Sequence, residues 1–88
     1  MGDEQTRIGR DLVDAHKLAE ESGEEYHTID FWTGRRLLIV SQRRGKERFY
    51  RKEESLKRIK RIRELQSQEP PCSIAQIEGI LKEEFKGE

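Results

Sequence analysis

The sequence predicts a mostly α-helical domain of about four helices carrying one small two-stranded β-hairpin. Three observations lead there. Apolar residues recur at helical spacing in stretches bounded by Gly23, Gly34 and Pro70-Pro71. A single aliphatic and β-branched run, Leu37-Leu38-Ile39-Val40, is followed by Gly45 and then Arg48-Phe49-Tyr50, the order of a strand, a turn and a returning strand. Finally, 88 residues with 32% apolar side chains suffice for one economical core and no second domain.

Residues 1–11 are polar and lack periodicity, so they read as a flexible arm, with the folded domain at 12–86. The first helix is expected from Ala15 to Ser22, with Asp14 as N-cap, Ala15, Leu18 and Ala19 on one face, and Gly23 as the stop. A second short helix is expected over Tyr26 to Thr33 and should bury Ile29, Phe31 and Trp32, because so small a domain needs its large apolar groups. Gly34 ends it. Leu37 to Ser41 should pair with Glu47 to Arg51 as a hairpin that packs on the helices, since an isolated hairpin is marginal in water. Leu56, Ile59, Ile62 and Leu65 mark a third helix, in which Arg58 falls within the apolar half and should extend its stem outward. Ser73-Ile74-Ala75-Gln76 is a capping box that opens a fourth helix, with Ile74, Ile77, Leu81 and Phe85 on one stripe and Gly79 allowing close packing.

The formal net charge of zero hides a strong segmentation. Residues 1–34 carry net −6, residues 35–63 net +10 and residues 64–88 net −4. A basic middle of that density creates a local positive field toward polyanions, unless the acidic ends neutralise it in the fold. Cys72 is the sole cysteine, which excludes an intramolecular disulfide and a multi-thiolate metal site and fits a reducing compartment. No apolar run approaches the roughly 20 residues that span a bilayer, so a membrane is not an expected partner.

Catalysis has little support in the residues. His16 and His27, the two histidines, lie on different predicted helices without a nearby thiol, and Gly45-Lys46 lacks the other glycines of a phosphate loop. No enzyme, cofactor or metal is expected. Nucleic-acid contact is better supported, because phosphates require cations and Arg35, Arg36, Arg43, Arg44, Lys46, Arg48 and Arg51 all lie in or beside the predicted hairpin. The competing reading makes these a solvated loop, with Arg35 and Arg36 complementing the second helix's C-terminus. Tyr50 is divided between the core edge and a phosphate-contacting hydroxyl.

The order of parts resembles the N-terminal winged helix-turn-helix DNA-binding domain of MerR-type transcriptional regulators over about Val13 to Leu81. Lys17 to Gly23 is similar to that family's first helix and turn, and Thr28-Ile29-Asp30-Phe31-Trp32 stands at its Thr-Leu-Arg-Tyr-Tyr recognition-helix motif. Leu37-Leu38 follows at the family's spacing, Arg48-Phe49-Tyr50 is similar to the wing's Arg-x-Tyr, and Ser73-Ile74-Ala75-Gln76-Ile77 is similar to its Ser-Leu-x-Glu-Ile. The chain departs from the pattern at Asp30, which stands at a backbone-contacting arginine, at Glu24, which stands at an apolar residue, and at Arg36, which stands at a glycine. It also has one extra residue between Tyr50 and Leu56.

The resemblance implies a cytoplasmic, nucleoid-associated bacterial regulator that binds double-stranded DNA sequence-specifically. The second helix would enter the major groove, with Tyr26, His27 and Thr28 toward the bases and Arg43, Arg44, Arg48 and Tyr50 on the backbone. RNA polymerase or another protein is an additional partner of such regulators, and dimerisation is expected only where a longer native chain or another partner supplies it. The alternative is a protein-interaction module that keeps the winged scaffold and has weak or no DNA affinity, to which Asp30 and Glu24 point.

Overall fold

The computed structural model describes residues 12–85. The expected arm at 1–11 and the last residue of the expected domain lie outside the described residues. The elements are β1 (Leu12–Asp14), α1 (Ala15–Ser22), α2 (Tyr26–Gly34), β2 (Gln42–Arg44), β3 (Glu47–Arg51), α3 (Lys52–Gln66) and α4 (Ile74–Glu84). This is a mostly helical winged helix-turn-helix, but its sheet has three strands where two were expected. The strand order is β1-β3-β2, both pairs antiparallel. β1 supplies hydrogen-bonding partners to the side of β3 that a lone hairpin would leave open, which is how so short a ribbon persists in water.

The first strand of the hairpin also lies further along than expected. Leu37 to Ser41 is not a strand. Leu37 and Leu38 are both fully buried, and consecutive inward side chains are incompatible with strand alternation. Their backbone N–H groups instead donate to the Trp32 carbonyl at 2.8 and 3.3 Å, folding the segment back onto the end of α2. The first backbone bond to β3 comes from Ser41, whose N–H donates to Phe49 O at 2.8 Å, and the strand itself starts at Gln42.

The core joins Ala15, Leu18 and Ala19 of α1, Ile29 and Trp32 of α2, Leu37 and Leu38, Tyr50 of β3, Ile59, Ile62 and Leu65 of α3, and Ile77 and Leu81 of α4. Every helix contributes the apolar stripe its sequence period predicts. Three individual expectations fail. Phe31 is 51% exposed, because Ile29 and Trp32 occupy the buried face of α2 and Phe31 falls on the other. Arg58 is buried rather than directed outward: its guanidinium pairs with Glu54 at 3.1 Å, donates to the Leu37 carbonyl at 3.3 Å and lies 4.5 Å from the Phe85 ring centroid. Gly79 faces open space, with nothing within 4 Å of where a Cβ would be, so no close packing explains it.

Candidate nucleic-acid interface

The α1–turn–α2 unit is defined by local chemistry. Asp14 accepts a hydrogen bond from the Lys17 N–H at 2.8 Å and so starts α1. Gly23 ends it at φ 78°, where its own N–H and that of Glu24 both reach the Ala19 carbonyl at 3.0 Å. Arg63 of α3 then fixes the turn from outside, pairing with Glu24 and donating to the Ser22 carbonyl at 2.9 Å. Glu24, in place of an apolar turn residue, is therefore held by a salt bridge. With Ile29 and Trp32 turned inward, α2 presents Tyr26, His27, Asp30 and Phe31 to solvent, while Thr28 is half-buried beside them.

The C-terminal end of α2 carries two exposed cations. Helix α2 runs through Gly34, one residue beyond its expected end, and the left-handed position comes later, at Arg36 with φ 66°. A non-glycine residue there costs about 1–2 kcal/mol. That turn brings Leu37 and Leu38 into the core and leaves Arg35 and Arg36 on the outside.

The wing reverses at Gly45, φ 62°, between Arg44 and the residue paired with it, Glu47. Arg43, Arg44, Lys46 and Arg51 are exposed. Arg43 lies directly opposite Arg48 in the ladder, and the pleat puts both on the same face as Tyr50 and Val13. Arg48 reaches α2, where its Nη2 sits 2.7 Å from Asp30 Oδ1 and 3.4 Å from the Tyr26 hydroxyl. Partial burial works against its charge, but hydrogen bonds to Asp30 and Tyr26 and the field of Tyr50 outweigh this, and its pKa lies above the ordinary arginine value.

Tyr50 belongs to the core and does not present its hydroxyl to a phosphate. It is fully buried, and its hydroxyl lies 2.7 Å from Thr33 Oγ1. Because the Thr33 hydroxyl already donates to the Ile29 carbonyl at 2.7 Å, Tyr50 is the donor in this pair. The tyrosine thus fastens the wing to the last turn of α2.

The basic middle of the chain consequently separates into two populations. Arg48, Lys52, Arg58, Arg61 and Arg63 are engaged within the fold, Lys52 by Glu21 and Arg61 by Glu84 and Glu64. Its hydrogen bonds to those two carboxylates raise the Arg61 pKa. Among the described residues, Arg35, Arg36, Arg43, Arg44, Lys46, Arg51, Lys57 and Lys60 make no ion pair with a carboxylate. The first six are distributed over the wing and the end of α2, and the two lysines lie on α3. The histidines take side roles: His16 of α1 stacks on Tyr26 at 4.2 Å, and His27 lies 3.4 Å from Glu25. The described residues contain no group of three or more His, Cys, Asp or Glu side chains placed to hold a metal ion, and no helix long and apolar enough to cross a membrane.

Sequence reasoning did not find the Asp30–Arg48 pair, the His16–Tyr26 stack or the exposure of Phe31. The first two join residues distant along the chain and have no local spacing to reveal them. Phe31 was legible in principle, since it is adjacent to Trp32 and two residues from Ile29, off the stripe those two define.

Two helices joined by a glycine turn, followed by a sheet with a basic hairpin, define a winged helix-turn-helix of the DNA-binding regulatory class, a non-enzymatic kind of domain. The chain matches the family of MerR HTH family regulatory proteins over residues 14–84, and it belongs to that family. No curated protein and no solved structure gave a significant match.

Proposed function

We propose that this domain binds double-stranded DNA sequence-specifically, with α2 in the major groove and the wing along the flanking backbone, as part of a bacterial transcriptional regulator. The observation that carries the reading is the set of exposed cations without a carboxylate partner in the wing and at the C-terminal end of α2. Tyr26, His27 and Thr28, at the first turn of α2, face base edges. Arg35 and Arg36 at its other end, with Arg43, Arg44, Lys46 and Arg51 of the wing, neutralise phosphates. Tyr50 acts from behind, by holding the wing against Thr33. A cytoplasmic, nucleoid-associated location accompanies this role. RNA polymerase or another protein would meet the domain from a side that the DNA leaves free.

The test is a duplex titration at two or more salt concentrations with the wild type and with Arg43, Arg44 and Lys46 all replaced by alanine. The wild type should bind with a steep salt dependence. Removing three phosphate contacts should reduce the slope of log K against log salt by about 2–3, at about 0.9 per contact. An unchanged slope would exclude the wing from the interface. The protein-interaction reading draws on one specific feature: Phe31, 51% exposed, beside the Asp30 carboxylate on the same helix. Absence of duplex binding even at low salt would favour it.

A further inference from the structure

A chain of side chains crosses three elements at the exposed surface of α2. His16 of α1 stacks on Tyr26 of α2 with planes 12° apart; the Tyr26 hydroxyl accepts from Arg48 Nη2 of the wing; and the same nitrogen pairs with Asp30 Oδ1 back on α2. Between residues 35 and 51, Arg48 is the one cation that has a carboxylate partner among the described residues. Asp30 is 57% exposed while Arg48 is 15% exposed, so the carboxylate lies on the solvent side of the pair. The ladder explains why a carboxylate is useful there. Arg43 is directly opposite Arg48 on the same face, an arrangement of like charges that destabilises a strand pair unless an anion intervenes.

A carboxylate oxygen and a phosphate oxygen are equivalent acceptors for a guanidinium. We propose that Asp30 stands in for a DNA phosphate, holding Arg48 in the free protein so that Arg48 reaches the backbone of a bound duplex only by leaving Asp30. Asp30 is then a positioning residue that acts on DNA through Arg48, and it lowers affinity for any duplex that offers phosphates alone. On a duplex that offers phosphates alone the pair stays closed; where it opens, a phosphate takes the place of Asp30 between Arg48 and Arg43, so the exchange adds no relief of their repulsion. The inference rests on the duplex-DNA reading above.

The experiment is a double-mutant cycle of Asp30→Asn and Arg48→Met, read as affinity for a random-sequence duplex at several salt concentrations. Asp30→Asn should tighten binding at about 50 mM salt by roughly three- to tenfold and steepen the salt slope by about 0.9, the contribution of one additional phosphate contact. In the Arg48→Met background the same change should produce less than half that gain and no steepening. Equal gains in both backgrounds would mean that Asp30 merely repels DNA, which overturns the inference and leaves the duplex reading intact; a weakening by Asp30→Asn would overturn it as well. If no variant binds any duplex, both fall together. Side-chain ¹⁵N NMR of Arg48 provides a check without DNA: Asp30→Asn should shift the Arg48 resonances, and unshifted resonances would show that no pair forms in solution.

Discussion

Single residues in this domain divide into those that hold the surface in place and those that make it. Tyr50 is the clearest of the first kind. Tyr50→Phe removes a donor to Thr33 and should cost about 1 kcal/mol. Because Thr33 keeps its own bond to Ile29, no buried donor is stranded, and duplex affinity should stay within about twofold once the folded fraction is accounted for. Thermal melts and titrations on the same sample check both. A much larger loss of affinity at full folding would return the hydroxyl to the interface. Gly79 is the converse case, since continuous helix α4 contains at its centre a residue whose missing side chain meets nothing. Gly79→Ala should stabilise the domain by about 1 kcal/mol. Calorimetry should register this as a rise in Tm of about 4–8 °C. Arg36 belongs to the second kind: it accepts a left-handed backbone where a glycine would be relaxed, and it places a cation outside while Leu37 turns inward.

At the scale of elements, the segment between α2 and the wing differs most from expectation, and Arg58 explains how it is held. Aliphatic, β-branched residues favour a strand, but here the Trp32 carbonyl takes two N–H groups of the segment and Arg58 takes the Leu37 carbonyl. The same guanidinium pairs with Glu54 one turn back on α3 and lies against Phe85 beyond the end of α4. Replacing it with methionine keeps much of the stem but leaves Glu54 and the Leu37 carbonyl without their partner. The expected cost is about 3 kcal/mol, as for other buried pairs broken on one side. Denaturant unfolding measures it; a change below about 1 kcal/mol would mean that water replaces the guanidinium readily. The Glu54-x-x-x-Arg58 spacing was visible in the sequence, whereas the carbonyl that Arg58 reaches was not.

Over the whole molecule, α4 packs against α3 and brings Ile77 and Leu81 into the shared core. Ile77→Ala should cost about 2–5 kcal/mol. A domain of this size has only about 5–10 kcal/mol in total, so the variant should unfold at a markedly lower denaturant midpoint. A midpoint close to wild type would place α4 outside the cooperative unit. Helix starts and stops were readable from the chain alone, because caps, glycines and prolines act over three or four residues: Asp14, Gly23 and the Ser73–Gln76 capping box all stand where their types require. The buried stripes of α1, α3 and α4 were readable for the same reason, a period that needs no tertiary information. The third strand was not, since three residues of β1 become a strand only when β3 is beside them. Nor was the fate of each charge. The sequence contains a basic middle, but which arginines remain available to a phosphate and which are held by Asp30, Glu84 or Glu24 depends on through-space distances that composition does not encode. Local hydrogen-bonding and periodicity set the elements; the pairing of distant charges, decided only on folding, set the candidate interface.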